Sequence, residues 1–542
     1  MKTKLHNAPY AAFTKTKSRT AWKAIGLKRR SGVALPLFSV HSKNSMGIGE
    51  ITDLELLADW CLKCGMSIIQ LLPLQDTGSG FRPYDAESSF ALDPMYLNLS
   101  KIPGIKLANY KNEFSRLKKR YSSSSKKVNY GIKAAKLKLL WRMFNERNES
   151  CERDFKKYIL REKFWIKDYA LFKTIQYVTG QSSWEKWEKG IRHRNKQWLN
   201  LFSKEHKQSI LYYQWMQWQL CMQMEGIKKS LSKKGILLMG DIPFLVSRSS
   251  ADVWTYQSYF KLDYEAGAPP DYFLAAGQRW GMPPYNWKVI AQHKYDYLSQ
   301  KLKYAERFYH MYRIDHAIGI FRLWTIPASD PMEAAGRNGF FEPSHEKEWI
   351  KQGEELLNVM LKSSSMLPCA EDLGTIPDCS PGILKKFGIP GMDIQRWMRD
   401  WVNESRILDN EEYRACGISS ISTHDTAPFL TWWQELSDGE KRSFGNFFDR
   451  DRNIRSQSLN KCTVLAIQKI LAAPSVFSIQ LIHDWLALTY PKKKKAIATP
   501  INHPGTFMDS NWSWRIPYSL EELKKLPINK DIKSMHQKSG RN

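Results

Sequence analysis

The segment FYHMYRIDHAIG (308–319) begins as an apolar run and ends in a group of charged and titratable side chains, Arg313, Asp315 and His316. In a strand, side chains alternate between faces, so Arg313 and Asp315 share one side while Ile314 points to the other. A carboxylate beside a guanidinium on a largely buried strand costs free energy unless the pair is hydrogen-bonded. The pair is therefore either a structural ion pair at a strand end or part of a functional site.

Seven further segments of the chain share this strand-like pattern. Most are short, apolar and rich in leucine or β-branched residues, which is typical of parallel strands covered by helices on both faces. In chain order the full set is VALPLFSV (33–40), SIIQLLPLQ (67–75), GILLMGDIPFLV (235–246), FYHMYRIDHAIG (308–319), MLPCAEDLG (366–374), MDIQRW (392–397), GISSISTHD (417–425) and FSIQLIHDWLAL (477–488). Eight such strands with helices between them predict an α/β fold, the (β/α)8 TIM barrel, although an open doubly wound sheet has the same periodicity.

The strands are unevenly spaced, which predicts insertions. Because the second and third strands are about 160 residues apart, too far for one crossover, we expect a mostly helical insertion over 86–232, above the C-terminal face of the barrel. Residues 247–300 are dense in Gly, Pro and aromatic residues and predict a structured active-site loop region. The barrel is expected to span 31–523, between a basic, flexible N-terminal tail over 1–30 and a basic C-terminal tail over 524–542.

The 542-residue chain has a net charge of +28, which raises the question of a nucleic-acid partner. The basic residues are spread along the chain, without an RNA-binding or helix-turn-helix signature, so a solvated basic surface is favoured. No apolar run approaches the roughly 20 residues that a membrane span needs. The first 30 residues lack the apolar core of a secretory signal, and we expect a soluble, cytoplasmic protein.

The eight cysteines are scattered, and only Cys61 and Cys64 form a CxxC pair. Without a second CxxC there is no zinc-site pattern, and scattered cysteines indicate a reducing compartment. We therefore expect neither a metal nor a cofactor.

Charged side chains recur where the predicted strands end. They are Asp241 in GDIPF, Arg313 and Asp315 in YRIDH, Glu371 and Asp372 in AEDLG, and His424 and Asp425 in STHD. The C-terminal strand ends of a barrel converge on one site. Converging carboxylates suit glycosyl chemistry, which needs one carboxylate as nucleophile, one carboxylic acid as proton donor, and gains from a third group that stabilises an oxocarbenium-like transition state. An arginine two residues before the nucleophile would keep that aspartate ionised and aimed.

Several motifs together resemble the amylomaltases, the 4-α-glucanotransferases of glycoside hydrolase family 77, which are relatives of the α-amylases. The resemblance runs from about Gly32 to about Leu523. It includes SMGIGEITDLELLADW, GDIPFLV, SADVW, GAPPDYFLAAGQRWGMPPYNW, YRIDHAIGIFRLW, AEDLGTIP, GIPGMD, STHDT and NHPGT followed by NW. The pair GAPPDYF and GQRWGMPPYNW is highly specific to this family.

The resemblance implies a role for each matching residue. Asp315 corresponds to the nucleophile, Glu371 to the general acid/base and Asp425 to the transition-state stabiliser. The substrate-binding residues that it implies are Arg313, His424, Asp241, Tyr84, Trp280 and Asn502. Among these, Tyr84 in FRPYDAESSFALDP matches an aromatic residue that stacks on a sugar, and Trp280 lies in a loop that folds over the glucan. His316 is expected to point away from the nucleophile and to act as structural support.

The resemblance also implies the reaction. A 4-α-glucanotransferase moves α-1,4-glucan segments from a maltodextrin or glycogen-derived donor to the 4-OH of glucose or another glucan by a retaining double displacement. The expected partners are maltooligosaccharides, glucose and glycogen, with no specific nucleic acid and no membrane. Two alternatives stay open: an α-glucan hydrolase with the same carboxylates, and a non-catalytic basic nucleic-acid-binding protein, against which the intact Asp315, Glu371 and Asp425 argue.

Overall fold

A parallel eight-stranded sheet forms the centre of the molecule. The computed structural model describes residues 8–122, 124–147, 152–271, 274–400, 406–448, 459–506 and 508–541. The strands of this sheet are β1 (Arg30–Leu35), β2 (Ile68–Leu71), β3 (Leu237–Ile242), β4 (Met311–Ile314), β5 (Leu367–Ala370), β6 (Gly391–Ile394), β7 (Gly417–Ser420) and β8 (Phe477–Leu481). They pair in the order β6–β7–β8–β1–β2–β3–β4–β5, which is the chain order wrapped around a ring. The predicted (β/α)8 barrel is confirmed.

The ring has one seam, between β5 and β6, where the Ala370 N–H donates to the Pro390 carbonyl at 2.7 Å. Every residue of β2 and of β4 to β8 is buried, as expected for strands covered on both faces. The register sets Asp241 of β3 directly beside Arg313 of β4. Because side chains at paired positions of neighbouring parallel strands lie on the same face, this register places the two charges next to each other.

Helices cover the outside of the ring and build the insertions. Their bounds are Arg19–Ile25, Leu54–Cys64, Lys111–Arg120, Gly131–Asn145, Glu152–Arg161, Ile166–Thr179, Lys189–Arg192, Lys196–Glu205, Lys207–Lys233, Ala251–Thr255, Trp287–Gln292, Asp296–Ala305, Glu346–Ser363, Cys379–Phe387, Phe429–Glu435, Asp438–Phe448, Leu459–Ala472, Ile482–Ala487, Lys494–Ala498, Leu520–Leu523 and Asn529–Lys538. None of the helices in the described residues is both long and apolar enough to cross a membrane.

The helices from Lys111–Arg120 to Lys207–Lys233 lie between β2 and β3. Two buried lysines one turn apart on helix Gly131–Asn145 attach them to the barrel. Lys133 Nζ lies 2.8 Å from Asp76 and 2.7 Å from Asp93. Lys136 Nζ lies 2.7 Å from Glu50.

The aromatic and glycine-rich region after β3 contains strands of its own. An antiparallel sheet joins Tyr264–Ala268 and Gln278–Arg279 to Leu323–Pro327 and Phe340–Glu342, which follow β4 in the chain. Segments from two different barrel loops therefore form one structure at the C-terminal face. A two-stranded ribbon, Arg399–Asp400 with Arg406–Ile407, follows β6.

The N-terminal segment differs from the flexible tail that we expected over 1–30. Residues 8–25 form helical turns, and Trp22 is fully buried. The Ser18 hydroxyl donates to the Phe387 carbonyl at 2.7 Å, and the Trp22 indole N–H donates to the Gly388 carbonyl at 2.8 Å. For these residues the expectation is corrected, because apolar side chains among the basic ones close the N-terminal end of the barrel. Residues 1–7 lie outside the described residues.

Residues 524–541 of the C-terminal segment are likewise packed against the barrel, and residue 542 lies outside the described residues. Helix Asn529–Lys538 packs on helix Leu54–Cys64. The Arg541 guanidinium is fully buried and donates to five backbone carbonyls, those of Arg30, Leu471, Ala473, Ser475 and Val476. A basic composition predicts a solvated tail, whereas the Arg541 guanidinium is buried and hydrogen-bonded to backbone carbonyls. Two of these, of Arg30 and Val476, lie at the start of β1 and just before β8.

Candidate active site

One arginine organises the carboxylates at the strand ends. Arg313 Nη1 lies 2.9 Å from both oxygens of Asp241 and 2.8 Å from Oδ1 of Asp315. Its Nη2 lies 3.7 Å from Oε2 of Glu371. The side chains predicted from β3, β4 and β5 therefore meet around a single guanidinium.

Glu371 is held by a backbone group that the sequence did not reveal. The His316 N–H donates to Glu371 Oε2 at 2.7 Å. His316 has a positive φ of 46°, a conformation that costs free energy for a residue with a side chain. The chain turns sharply just after Asp315, and this turn directs the N–H toward Glu371. His316 thus contacts Glu371 through its backbone N–H, and its predicted role as structural support stays a prediction.

The end of β7 contributes a second group of polar side chains. His424 Nε2 lies 3.1 Å from Oδ2 of Asp425. The Asn502 amide donates to the other carboxylate oxygen, Oδ1, at 2.7 Å. Asp425 is 41% exposed, against 23% for Asp315 and 15% for Glu371, so it lies at the open side of the group.

Aromatic rings line the same site. The Tyr84 hydroxyl donates to Asp241 at 2.7 Å, and its ring stacks on His424 with centroids 5.3 Å apart. Trp512 packs against both rings, at 5.8 Å and 6.0 Å. Trp280 meets the His316 ring edge-on at 4.8 Å. Flat apolar faces beside carboxylates are what a sugar ring requires, because it offers both hydroxyls and C–H surfaces.

The carboxyl groups differ in proton affinity. Burial raises the pKa of Glu371 from its ordinary 4.5 to about 8, with Asp315 adding to the rise and Arg313 opposing it. Burial would also raise the pKa of Asp425, but His424, the Asn502 hydrogen bond and Arg313 together lower it to about 2. The site therefore holds one carboxyl that keeps its proton near neutral pH and one that is ionised, which is the usual division between a proton donor and a charged partner.

The structure brings all nine predicted site residues to one place, but Asp372, one of the seven strand-end charged residues, lies outside the site. Asp372 is buried, accepts a hydrogen bond from the Met392 N–H at 2.8 Å and forms an ion pair with Arg414. Adjacent residues at a strand end point in opposite directions, so Glu371 faces the site while Asp372 joins β5 to β6. Trp512 was not singled out from the sequence; it follows Asn511 in the NW motif.

Among the described residues, no group of three or more His, Cys, Asp or Glu side chains is arranged to hold a metal ion.

A (β/α)8 barrel whose strand ends bring together one carboxyl of raised pKa and one of lowered pKa defines an enzyme that uses carboxyl groups in its chemistry. Comparison with known proteins identifies the family. A family model described as 4-alpha-glucanotransferase matches residues 35–521, and the chain belongs to this family. The resemblance seen in the motifs is thereby confirmed.

Individual relatives agree over nearly the whole chain. A 4-alpha-glucanotransferase of Chlamydia muridarum is 35% identical over 520 residues, covering 93% of this chain and 94% of that protein. The Chlamydia pneumoniae protein of the same name is 36% identical, covering 93% and 95%. Among solved structures, the amylomaltase from Streptococcus agalactiae in complex with acarbose superposes with a TM-score of 0.81 at 25% identity, covering 95% of this chain and 100% of that one. The enzyme class expected from the sequence, a 4-α-glucanotransferase, is confirmed.

Proposed function

We propose that this enzyme transfers α-1,4-glucan segments from a maltodextrin or glycogen-derived donor to the 4-OH of glucose or another glucan by a retaining double displacement. Asp315 is the nucleophile, Glu371 the general acid/base and Asp425 the stabiliser of the transition state. The observation that carries the proposal is the sharing of Arg313 by Asp315 and Glu371, through Nη1 at 2.8 Å and Nη2 at 3.7 Å. Two carboxyls on one guanidinium lie close together, as the retaining mechanism requires.

In the first half-reaction, Glu371 donates its proton to the glycosidic oxygen of the leaving glucan. Its raised pKa supports this role, because the acid must still hold a proton when the donor binds. Asp315 Oδ2 attacks the anomeric carbon as that bond breaks, which forms the glycosyl-enzyme. Arg313 leaves this oxygen available, since its contact is with Oδ1.

In the second half-reaction, Glu371 is a carboxylate and takes the proton of the acceptor 4-OH. The acceptor oxygen then displaces Asp315 and the configuration at carbon is retained. Asp425, with its lowered pKa, stays ionised throughout and stabilises the positive charge that develops on the sugar ring.

Four of the remaining predicted residues, Tyr84, Trp280, His424 and Asn502, bind and orient the sugar. Tyr84 and Trp280 supply aromatic faces, and His424 and Asn502 hold Asp425 while offering hydrogen bonds to hydroxyl groups. Asp241 is fully paired with Arg313 and Tyr84 and is nearly inaccessible, so we propose that it fixes those two side chains and does not itself touch the substrate.

We propose maltooligosaccharides and glucose as substrates, supported by the similarity to an amylomaltase solved with acarbose. A cytoplasmic location is supported by the cysteines: the seven in the described residues are free thiols. Incubation with maltotriose separates transfer from hydrolysis. Longer oligomers together with glucose indicate transfer, whereas glucose and maltose alone would contradict the proposal.

The two carboxyl roles are tested by trapping the intermediate. Glu371→Gln should be inactive on maltodextrins, whose leaving group needs a proton, but should still react with α-maltosyl fluoride, whose leaving group does not. Because the variant also lacks the base for the second step, the glycosyl-enzyme should accumulate and appear as a mass increase of one maltosyl unit. In the double variant with Asp315→Asn the adduct should be absent. No adduct in the single variant, with equal loss on both donors, would contradict the assignment of Glu371.

A further inference from the structure

The loop that presents Asp425 is fastened at both ends by one buried carboxylate. This loop, residues 422–429, joins β7 to helix Phe429–Glu435. Asp484 lies just beyond β8 and is fully buried. Its Oδ1 accepts a hydrogen bond from the Ser422 hydroxyl at 3.3 Å and from the Phe429 N–H at 3.1 Å. A single oxygen therefore joins the first and last residues of the loop.

An arginine from the opposite neighbour strand holds the same loop. Arg396 follows β6 and is buried, with its guanidinium 4.8 Å from the Trp432 ring. Its Nη2 donates to the Ser422 hydroxyl at 2.9 Å and to the Ala427 carbonyl at 2.8 Å. The loop from β7 is thus held from the β6 side and from the β8 side.

Within the loop, short hydrogen bonds make the turn itself rigid. The Thr423 N–H donates to the Thr426 hydroxyl at 3.0 Å, and that hydroxyl donates back to the Thr423 carbonyl at 3.1 Å. The Asp425 N–H donates to the Thr423 hydroxyl at 3.2 Å. A rigid turn moves as a unit, so the placement of Asp425 relative to Asp315 and Glu371 depends on how the loop ends are held.

Asp484 and Arg396, which together form a clamp on the loop, are costly to bury. Within the described part of the chain, Asp484 Oδ2 and Arg396 Nε have no hydrogen-bond partner. An unsatisfied buried polar atom costs free energy. Burial also raises the pKa of Asp484 to about 6 against the opposing effects of the Phe429 N–H, Arg396 and Ser422. Burying these two side chains costs free energy that their hydrogen bonds do not fully offset. We therefore attribute their presence to the loop that they position and not to a gain in stability.

We propose that Asp484 and Arg396 are positioning residues for the reaction, which fix the height and orientation of the 422–429 loop and so of Asp425. The inference rests on the proposed role of Asp425. Neither residue needs to contact substrate; each acts through the loop. A displacement of about 1 Å at a reacting group can reduce turnover by about 100-fold, which sets the expected size of the effect.

The test compares kcat and KM for maltodextrin transfer at a temperature where each variant is folded. In Asp484→Ala, kcat should fall about 100-fold while the donor KM stays within about threefold, because the aromatic sugar-binding faces are unchanged. Asp484→Asn keeps an oxygen acceptor at Oδ1 and should restore kcat to within about threefold of wild type. If Asp484→Asn is as slow as Asp484→Ala, the proposed positioning role of Asp484 is overturned.

Asp53 provides a matched control for the general effect of removing a buried carboxylate. It also accepts one serine hydroxyl, from Ser42 at 2.7 Å, and one backbone N–H, from Glu50 at 2.8 Å, and is 5% exposed. Asp53→Ala should lower the unfolding temperature but leave kcat unchanged. Equal loss of kcat in Asp53→Ala and Asp484→Ala would mean general destabilisation and would overturn the proposal.

Two further variants keep the outcomes distinct. If Asp484→Ala does not fold, Ser422→Ala removes the hydroxyl that both clamp residues bind and should lower kcat about tenfold at unchanged KM; an unchanged kcat would overturn the proposal. Asp425→Asn is measured in the same assay. A wild-type kcat there contradicts the proposed role of Asp425, whereas loss in Asp425→Asn without loss in Asp484→Ala refutes only the positioning role.

Discussion

Two clusters of buried charges in this chain, one between the helical insertion and the barrel and one in the active site, are partnered in opposite ways. Where the helical insertion meets the barrel, Lys136 Nζ donates to Glu50 at 2.7 Å and to the Met95 and Leu97 carbonyls at 2.7 and 2.9 Å. All three of its donors are used, and Lys136 and Glu50 are both closed to solvent. This pair has nothing left to offer a ligand.

In the active site the cations are outnumbered. Arg313 faces Asp241, Asp315 and Glu371, and the latter two remain partly open to solvent. Burial raises the pKa of Glu371, and the neighbouring Asp315 carboxylate adds to the rise. A buried charge cluster therefore has a structural role when every donor and acceptor is paired. It can take part in a reaction when carboxylates outnumber cations and remain accessible to solvent.

The largest effect should come from removing the nucleophile. Asp315→Asn should reduce transfer by more than about 10⁴-fold, or about 5.5 kcal/mol of transition-state stabilisation, because an amide cannot form the glycosyl-enzyme. The unfolding temperature should stay near that of wild type, since the amide oxygen still accepts from Arg313. A normally folded variant with near wild-type turnover would sink the assignment.

Breaking the Lys136–Glu50 pair should instead lower stability and leave activity unchanged. Lys136→Met leaves Glu50 buried without its cation and should lower the free energy of unfolding by about 3–5 kcal/mol, while the folded enzyme keeps its specific activity. Arg142→Met is the control on the same helix, because its ion pair with Glu113 is solvent-exposed and should contribute little to stability. Urea denaturation and initial rates measure both. A loss of kcat in folded Lys136→Met would contradict the purely structural role of the Lys136–Glu50 pair.

The pH dependence follows from Glu371. Because the acid must be protonated, kcat should fall as pH rises through about 8, at higher pH by about tenfold per unit. The raised pKa also means that the folded state binds this proton more tightly than the unfolded state, so the folded state loses stability as pH rises from 4.5 toward 8. Glu371→Gln should unfold at a higher temperature than wild type at pH 9 and not at pH 4. A kcat that stays flat from pH 7 to pH 10 would count against this assignment.

The smallest effect is expected at the exposed edge of the site. Asn502→Ala removes one hydrogen bond to Asp425 and should lower kcat by less than about tenfold. Asn511→Ala is the matched control, because Asn511 bonds the Thr506 carbonyl at 3.1 Å in the same loop without contacting Asp425. If the two variants lose equal activity, the order of the loop matters and the bond to Asp425 does not.

Sequence patterns located all eight barrel strands but not all of their ends. The first strand was predicted from Val33, whereas β1 begins at Arg30. Its early residues include Gly32, which breaks an apolar pattern and is required because a Cβ there would come within 2.4 Å of the Ile68 carbonyl oxygen. At the other end, the apolar run 477–488 was assigned to one strand, but it changes to a helix at Ile482. That change hid Asp484, because a short apolar run cannot distinguish strand from buried helix.

By itself, the sequence determined the barrel, the convergence of Asp241, Arg313, Asp315, Glu371 and Asp425, and the glucanotransferase family. These follow because strand periodicity and strand-end charges are local features, and parallel strands in a ring present their ends at one face. Only the tertiary structure decided which partner each charge has: Asp372 pairs with Arg414, and Lys136 with Glu50. A buried polar group pairs with whichever group folding brings within hydrogen-bond distance. That partner can be far away in the sequence, as for Lys136 and Glu50, which are 86 residues apart.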